Sequence, residues 1–60
     1  MDEPKFNIGE KVLIKYYNIE ATVLEYEMNV DFYIYLIKYN HNDGIAYFFE
    51  EHLINIQDEL

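Results

Sequence analysis

Apolar positions in this chain come in short runs separated by turn-forming residues. The densest run is Phe32-Tyr33-Ile34-Tyr35-Leu36-Ile37-Lys38-Tyr39, aromatic or aliphatic on both sides until Lys38. A segment without a wet face predicts a strand in the interior of a sheet. Upstream, Lys11–Tyr17 alternates. Val12, Ile14 and Tyr16 share one side, and Lys11, Leu13 and Lys15 the other, which predicts a half-buried strand. A second strand is predicted over Ile19–Glu27, with Ala21 and Val23 inward and Glu25 and Glu27 where it leaves the core. Ile45–Phe49 is the fourth strand, and Ile54–Ile56 closes the sheet.

The punctuation agrees. Gly9 offers a backbone freedom that a Cβ restricts, and Asn18 suits a tight left-handed turn. Met28–Asp31 reads as a hairpin loop. Asn40–Gly44, ending in Asp43-Gly44, is the strongest turn signal. Glu50–Leu53 is too short for a full helix and predicts a single 3-10 turn. A helix over Tyr47–Ile56 is the competing reading, disfavoured by its aromatic and β-branched content and its uncapped start. Pro4 disfavours helix at Glu3. Residues 1–5 are read as a polar lead-in, 6–56 as one all-β domain and 57–60 as a fraying tail. The predicted core is Phe6, Val12, Ile14, Ala21, Val23, Tyr35, either Leu36 or Ile37, Phe48, Leu53 and Ile56.

Size sharpens the problem. A chain of 60 residues buries only about 60% of its unfolded surface. It has no cysteine, so no disulfide reinforces it. Seven Tyr and four Phe are more rings than so small a core holds, and some are expected at the surface as a contact patch. The net charge is −8 with four lysines and no arginine, which argues against direct binding to a nucleic-acid backbone. A solvated acidic surface is the simplest reading of that charge. No apolar run approaches membrane-spanning length, and the N-terminus lacks a signal-peptide layout. A soluble, cytoplasmic protein is expected.

Five short strands with a helical turn before the last make a small SH3-like antiparallel barrel. Phe6-x-x-Gly9-Glu10-x-Val12, Ala21-x-Val23, Tyr35-x-Ile37-x-Tyr39 and Tyr47-Phe48-x-Glu50-x-x-Leu53-x-x-Ile56 carry the pattern. In these motifs the chain resembles the small SH3-like proteins of phages and prophages of Gram-positive bacteria. More loosely it resembles the chromo-barrel and Tudor readers of methyl-lysine. The resemblance spans about residues 6–56. It implies a non-enzymatic interaction module, a phage or prophage accessory protein.

Three binding chemistries follow. The apolar surplus points to a protein partner or to self-association, through Tyr17, Tyr33, Tyr47 and Phe49 with Glu50 beside them. The resemblance to methyl-lysine readers implies an aromatic cage drawn from Tyr16, Tyr39 and Phe48, with Tyr17 and Tyr47 near and Asp43 or Glu50 as the anion. Those readers contribute a tryptophan that this chain lacks. The acids Glu20, Glu25, Glu27, Asp31, Glu50 and Glu51 allow a third reading, an acidic mimic of nucleic acid that inhibits a DNA-binding or defence enzyme. Catalysis finds no support. No Gly-rich phosphate loop or nucleophile motif is present, and no cofactor is implied. His41-x-Asp43 and His52 with Glu50 and Glu51 are read as loop and rim residues rather than metal ligands.

Overall fold

The computed structural model describes residues 3–56. They form one antiparallel sheet of five strands: β1 (Lys11–Ile14), β2 (Ile19–Asn29), β3 (Phe32–Tyr39), β4 (Ile45–Phe49) and β5 (Leu53–Asn55). The spatial order is β4-β3-β2-β1-β5, so the sheet is open with β4 and β5 at its edges. A single 3-10 turn, Glu50–His52, joins those two edge strands. The tail 57–60 and the first two residues lie outside the described residues.

The core collects on one face. Phe6, Val12, Ile14, Ala21, Val23, Tyr35, Ile37 and Leu53 are fully buried there. Burying a Val, Leu, Ile or Phe side chain contributes about 1.5–3 kcal/mol. The ambiguity between Leu36 and Ile37 resolves to Ile37. It pairs with Val23 across β2–β3, and both are buried. Phe48 packs against the core while half-exposed, and Ile56 is half-buried.

A β-bulge in β2 reorganises what simple alternation predicts. The register shifts between Val23 and Glu25. Beyond it Tyr26 faces Tyr35, and Met28 faces Tyr33, on the core side. Glu25 and Glu27 pass to the opposite face, against Leu36 and Ile34. Strict period-two reading put Glu25 with Ala21 and Val23, and Tyr26 with Leu24. The extra residue of the bulge exchanges the two sets. Tyr26 thereby joins a ring cluster with Tyr33 and Tyr35, at centroid distances of 5.7 and 5.9 Å.

Other boundaries also move. β1 ends at Ile14, so Tyr16 leaves the face of Val12 and Ile14 for an exposed turn. That turn closes with Asn18 N–H donating to the Ile14 carbonyl at 2.9 Å and Asn18 at φ 55°. β2 runs on to Asn29, where a four-residue loop was expected, and only Val30 and Asp31 connect it to β3. Val30 carries φ 60° there, which is strained for a β-branched residue. The last strand is Leu53–Asn55 rather than 54–56, and it pairs with β1.

The lead-in is tied down at its end. The Lys5 N–H donates to the Tyr35 hydroxyl and to Glu50 Oε2, both at 2.9 Å. This fixes Phe6 in the core, its ring edge-on to Tyr35 at 5.4 Å.

Candidate functional site

Among the described residues, no layer covers the second face of the sheet. Pairing across β2, β3 and β4 places Glu27, Ile34 and Phe49 in one row, and Glu25, Leu36 and Tyr47 in the next. Lys38 and Ile45 follow. Ile34 and Leu36, on a strand whose other side buries Tyr35 and Ile37, are only half-covered here. Tyr47 is 66% exposed and Phe49 44%. The ring of Phe32 stands edge-on to Phe49 at 5.2 Å and extends the patch.

The outer rows open into a groove of about 560 Å³ along β4. Three successive β4 residues, Tyr47, Phe48 and Phe49, form one wall. Tyr16 and Tyr17 from the β1–β2 turn, with His52 from the 3-10 turn, form the other. Ile34 and Glu27 close the end towards β2, and Ile14 reaches it from the core. The turn is braced against the 3-10 turn. Lys15 N–H donates to the His52 carbonyl at 3.0 Å, and the rings of Tyr16 and His52 lie 6.1 Å apart.

The backbone of β4 is also open on this side. The Tyr39 N–H donates to the Gly44 carbonyl at 2.7 Å. Antiparallel bonded pairs alternate. Ala46 and Phe48 therefore bond to Ile37 and Tyr35, while Ile45 and Tyr47 turn their N–H and C=O groups away from β3. The opposite edge differs. β5 is three residues long, and Asn55 donates a side-chain hydrogen bond to Glu10. A short, occupied edge is a protected one.

Of the residues singled out as a protein-binding set, Tyr17, Tyr47 and Phe49 meet at the groove. Tyr33 does not. It is half-buried on the core face, its ring 6.3 Å from Tyr35. Glu50 accepts a hydrogen bond from the Tyr35 hydroxyl as well as from the Lys5 N–H, so its carboxylate serves the fold. Burial raises the Tyr35 phenol well above its ordinary value, and the Glu50 carboxylate raises it further.

The rings of the expected cage separate. Tyr16 and Phe48 line the groove, whereas Tyr39 lies at the β3–β4 turn with its ring 5.8 Å from His41. Asp43 sits in that turn at φ 62°. Among the acids, Glu20, Glu25, Glu27, Asp31 and Glu51 are exposed, and Glu50 is engaged as described. Among the described residues no three of His, Cys, Asp and Glu gather into a metal-binding cluster. His52 lies 3.8 Å from Glu51. Among the described residues no helix is long and apolar enough to cross a membrane.

Sequence reasoning missed four members of the groove: Ile14 reads as core and Ile34 as part of the central strand, and Glu27 and His52 were the other two. Glu27 was grouped with the acidic row and His52 with the rim. The bulge decides where Glu27 faces, and a bulge leaves little trace in a hydrophobic pattern. No protein-family model, curated protein or solved structure matches the chain.

Proposed function

We propose that this chain is a small, non-enzymatic protein-interaction module with an SH3-like arrangement, which binds a protein partner through the uncovered face of β3 and β4. The order β4-β3-β2-β1-β5, the bulged β2 and the 3-10 turn between β4 and β5 support the SH3-like assignment. The setting implied by the sequence resemblance is a phage or prophage accessory protein in a bacterial cytoplasm.

One observation carries the functional reading. Ile34, Leu36, Tyr47 and Phe49 form contiguous apolar rows on a face that no other part of the described chain covers. Contiguous apolar patches on small soluble proteins mark interaction sites, and aromatic anchors beside charge are the common form of their energetic centres. Acidity alone accounts for exposed Glu25 and Glu51, but it gives no reason for exposed Tyr47 and Phe49.

The test is affinity capture from a bacterial lysate with the wild-type chain and with Tyr47→Ser/Phe49→Ser, each shown to be folded. The expected result is a partner retained by the wild type through a salt wash and lost by the double variant. Retention of the same partner by both proteins overturns the assignment of this face. A partner that elutes with modest salt and competes with DNA favours acidic mimicry instead.

A further inference from the structure

The groove and the open edge of β4 coincide, and together they specify a mode of binding. We propose that β4 accepts an extended, basic segment of a partner protein as an added antiparallel or parallel strand, with a lysine or arginine side chain laid among the groove rings towards Glu27. This rests on the reading of the chain as an interaction module and names the chemistry of what it binds.

Three features of the structure lead there. First, Ile45 and Tyr47 present backbone donors and acceptors that no described residue uses, along a strand edge, which is what strand addition consumes. Second, the groove runs beside that edge, because Tyr47, Phe48 and Phe49 all line it. A strand laid along β4 places alternate side chains over the outer face, next to Tyr47 and Phe49, and the others towards Tyr16 and Tyr17. Third, charge selects the occupant. Glu27 is the groove's carboxylate, none of the four lysines lines it, and the whole chain carries −8. Aromatic faces and a carboxylate attract a cation. They disfavour a phosphate backbone. They also disfavour a second copy, which brings another −8 to the same edge.

The probe is a pair of synthetic peptides of about ten residues, long enough to span a β4-length strand. One alternates lysine and arginine with valine, and the other replaces every base by glutamate. Each is titrated to millimolar concentration against the full chain, and amide exchange and chemical shifts are read by NMR. The basic peptide is expected to slow exchange at Ile45 and Tyr47 about tenfold, and the acidic peptide to leave both unchanged. Ile45→Pro removes an outward N–H without touching the β3 ladder, a position where an edge strand tolerates proline. It is expected to abolish the protection at Tyr47, and Glu27→Gln to weaken it at both amides.

Shifts at Tyr16 and Tyr17 with unchanged exchange at Ile45 and Tyr47 overturn strand addition while leaving the interaction surface intact. Protection of both amides in the chain alone, with dimeric sedimentation, overturns the basic partner in favour of a second copy. Absence of any response to the basic peptide overturns this proposal and leaves the face assignment to the lysate test.

Discussion

Tyr35 and Tyr47 lie on neighbouring strands of one sheet and meet opposite fates. Tyr35 is sealed on the inner face. Its ring packs against Phe6, and its hydroxyl accepts from the Lys5 N–H and donates to Glu50. Tyr47 stands on the outer face at 66% exposure. Ile37 and Leu36, adjacent on β3, repeat the contrast, one buried and one half-covered. A strand apolar on both sides normally has both sides covered. Here one side of β3 buries Tyr35 and Ile37, while Ile34 and Leu36 on the other are only half-covered among the described residues. The inner face holds the fully buried core, and the outer face carries the exposed rings of Tyr47 and Phe49.

Truncation tests this division most severely. Ile37→Ala is expected to cost about 2–5 kcal/mol, the range for a buried aliphatic side chain reduced to Ala. A domain of this length holds roughly 0.05–0.15 kcal/mol per residue in total. For 60 residues that is about 3–9 kcal/mol, so the variant is expected to lose roughly half of its stability and of its urea midpoint. Leu36→Ala, one residue away, is expected to cost about 1 kcal/mol and remain folded. Equal losses from urea melts would mean that both faces of β3 are covered.

Tyr35→Phe probes how the inner face handles the hydroxyl of a fully buried ring. It removes the acceptor of the Lys5 N–H and the donor to Glu50, at an expected cost of about 1–3 kcal/mol. The pH dependence follows from the raised phenol. The folded state holds that proton more tightly than the unfolded chain, whose phenols ionise near pH 10. The contribution of Tyr35 is fully present below pH 10 and is lost as pH rises from there towards the folded value. Wild-type melts should therefore fall more steeply above about pH 10 than those of Tyr35→Phe. The remaining tyrosines are common to both proteins and cancel in the difference. Parallel curves would remove the burial account of this hydroxyl.

The β2–β3 hairpin offers a gain rather than a loss. Val30 is exposed, carries φ 60° and fills a two-residue connection where glycine is at ease. Val30→Gly is expected to stabilise the chain by about 1 kcal/mol through relief of backbone strain. The Tm measured by calorimetry should rise, with the groove untouched. A lower Tm would mean that the entropy lost by glycine outweighs that strain.

Much of this architecture was legible in the chain because its signals are local. Strand–turn alternation located all five strands, and burial at Val12, Ile14, Ala21 and Val23 follows period two. Asn18 is a left-handed turn residue, as its side chain suggests. The pattern failed where a tertiary feature acts. The bulge after Val23 moves Tyr26 inward and Glu27 outward, and the hairpin tightens around Val30 with no glycine to announce it. The site was legible in part. A surplus of rings predicted exposed aromatics, and Tyr17, Tyr47 and Phe49 do converge. Tyr39 and Tyr33 went elsewhere because strand ends and register, rather than residue type, decide which rings meet.

The smallest expected effect on stability is the sharpest test of function. Tyr47 is one of the most exposed rings of the sheet, and its outward backbone groups are unchanged by a new side chain. Tyr47→Ser should change the unfolding free energy from urea melts by less than about 0.5 kcal/mol. If the outer face serves binding, the same change removes an aromatic anchor and weakens capture of the partner by about 2 kcal/mol or more, the loss typical of a central interface residue. The two measurements must part company for the division between the faces to hold. A variant that loses stability and capture together would place Tyr47 among the residues that hold the sheet, and the outer face would then belong to the fold.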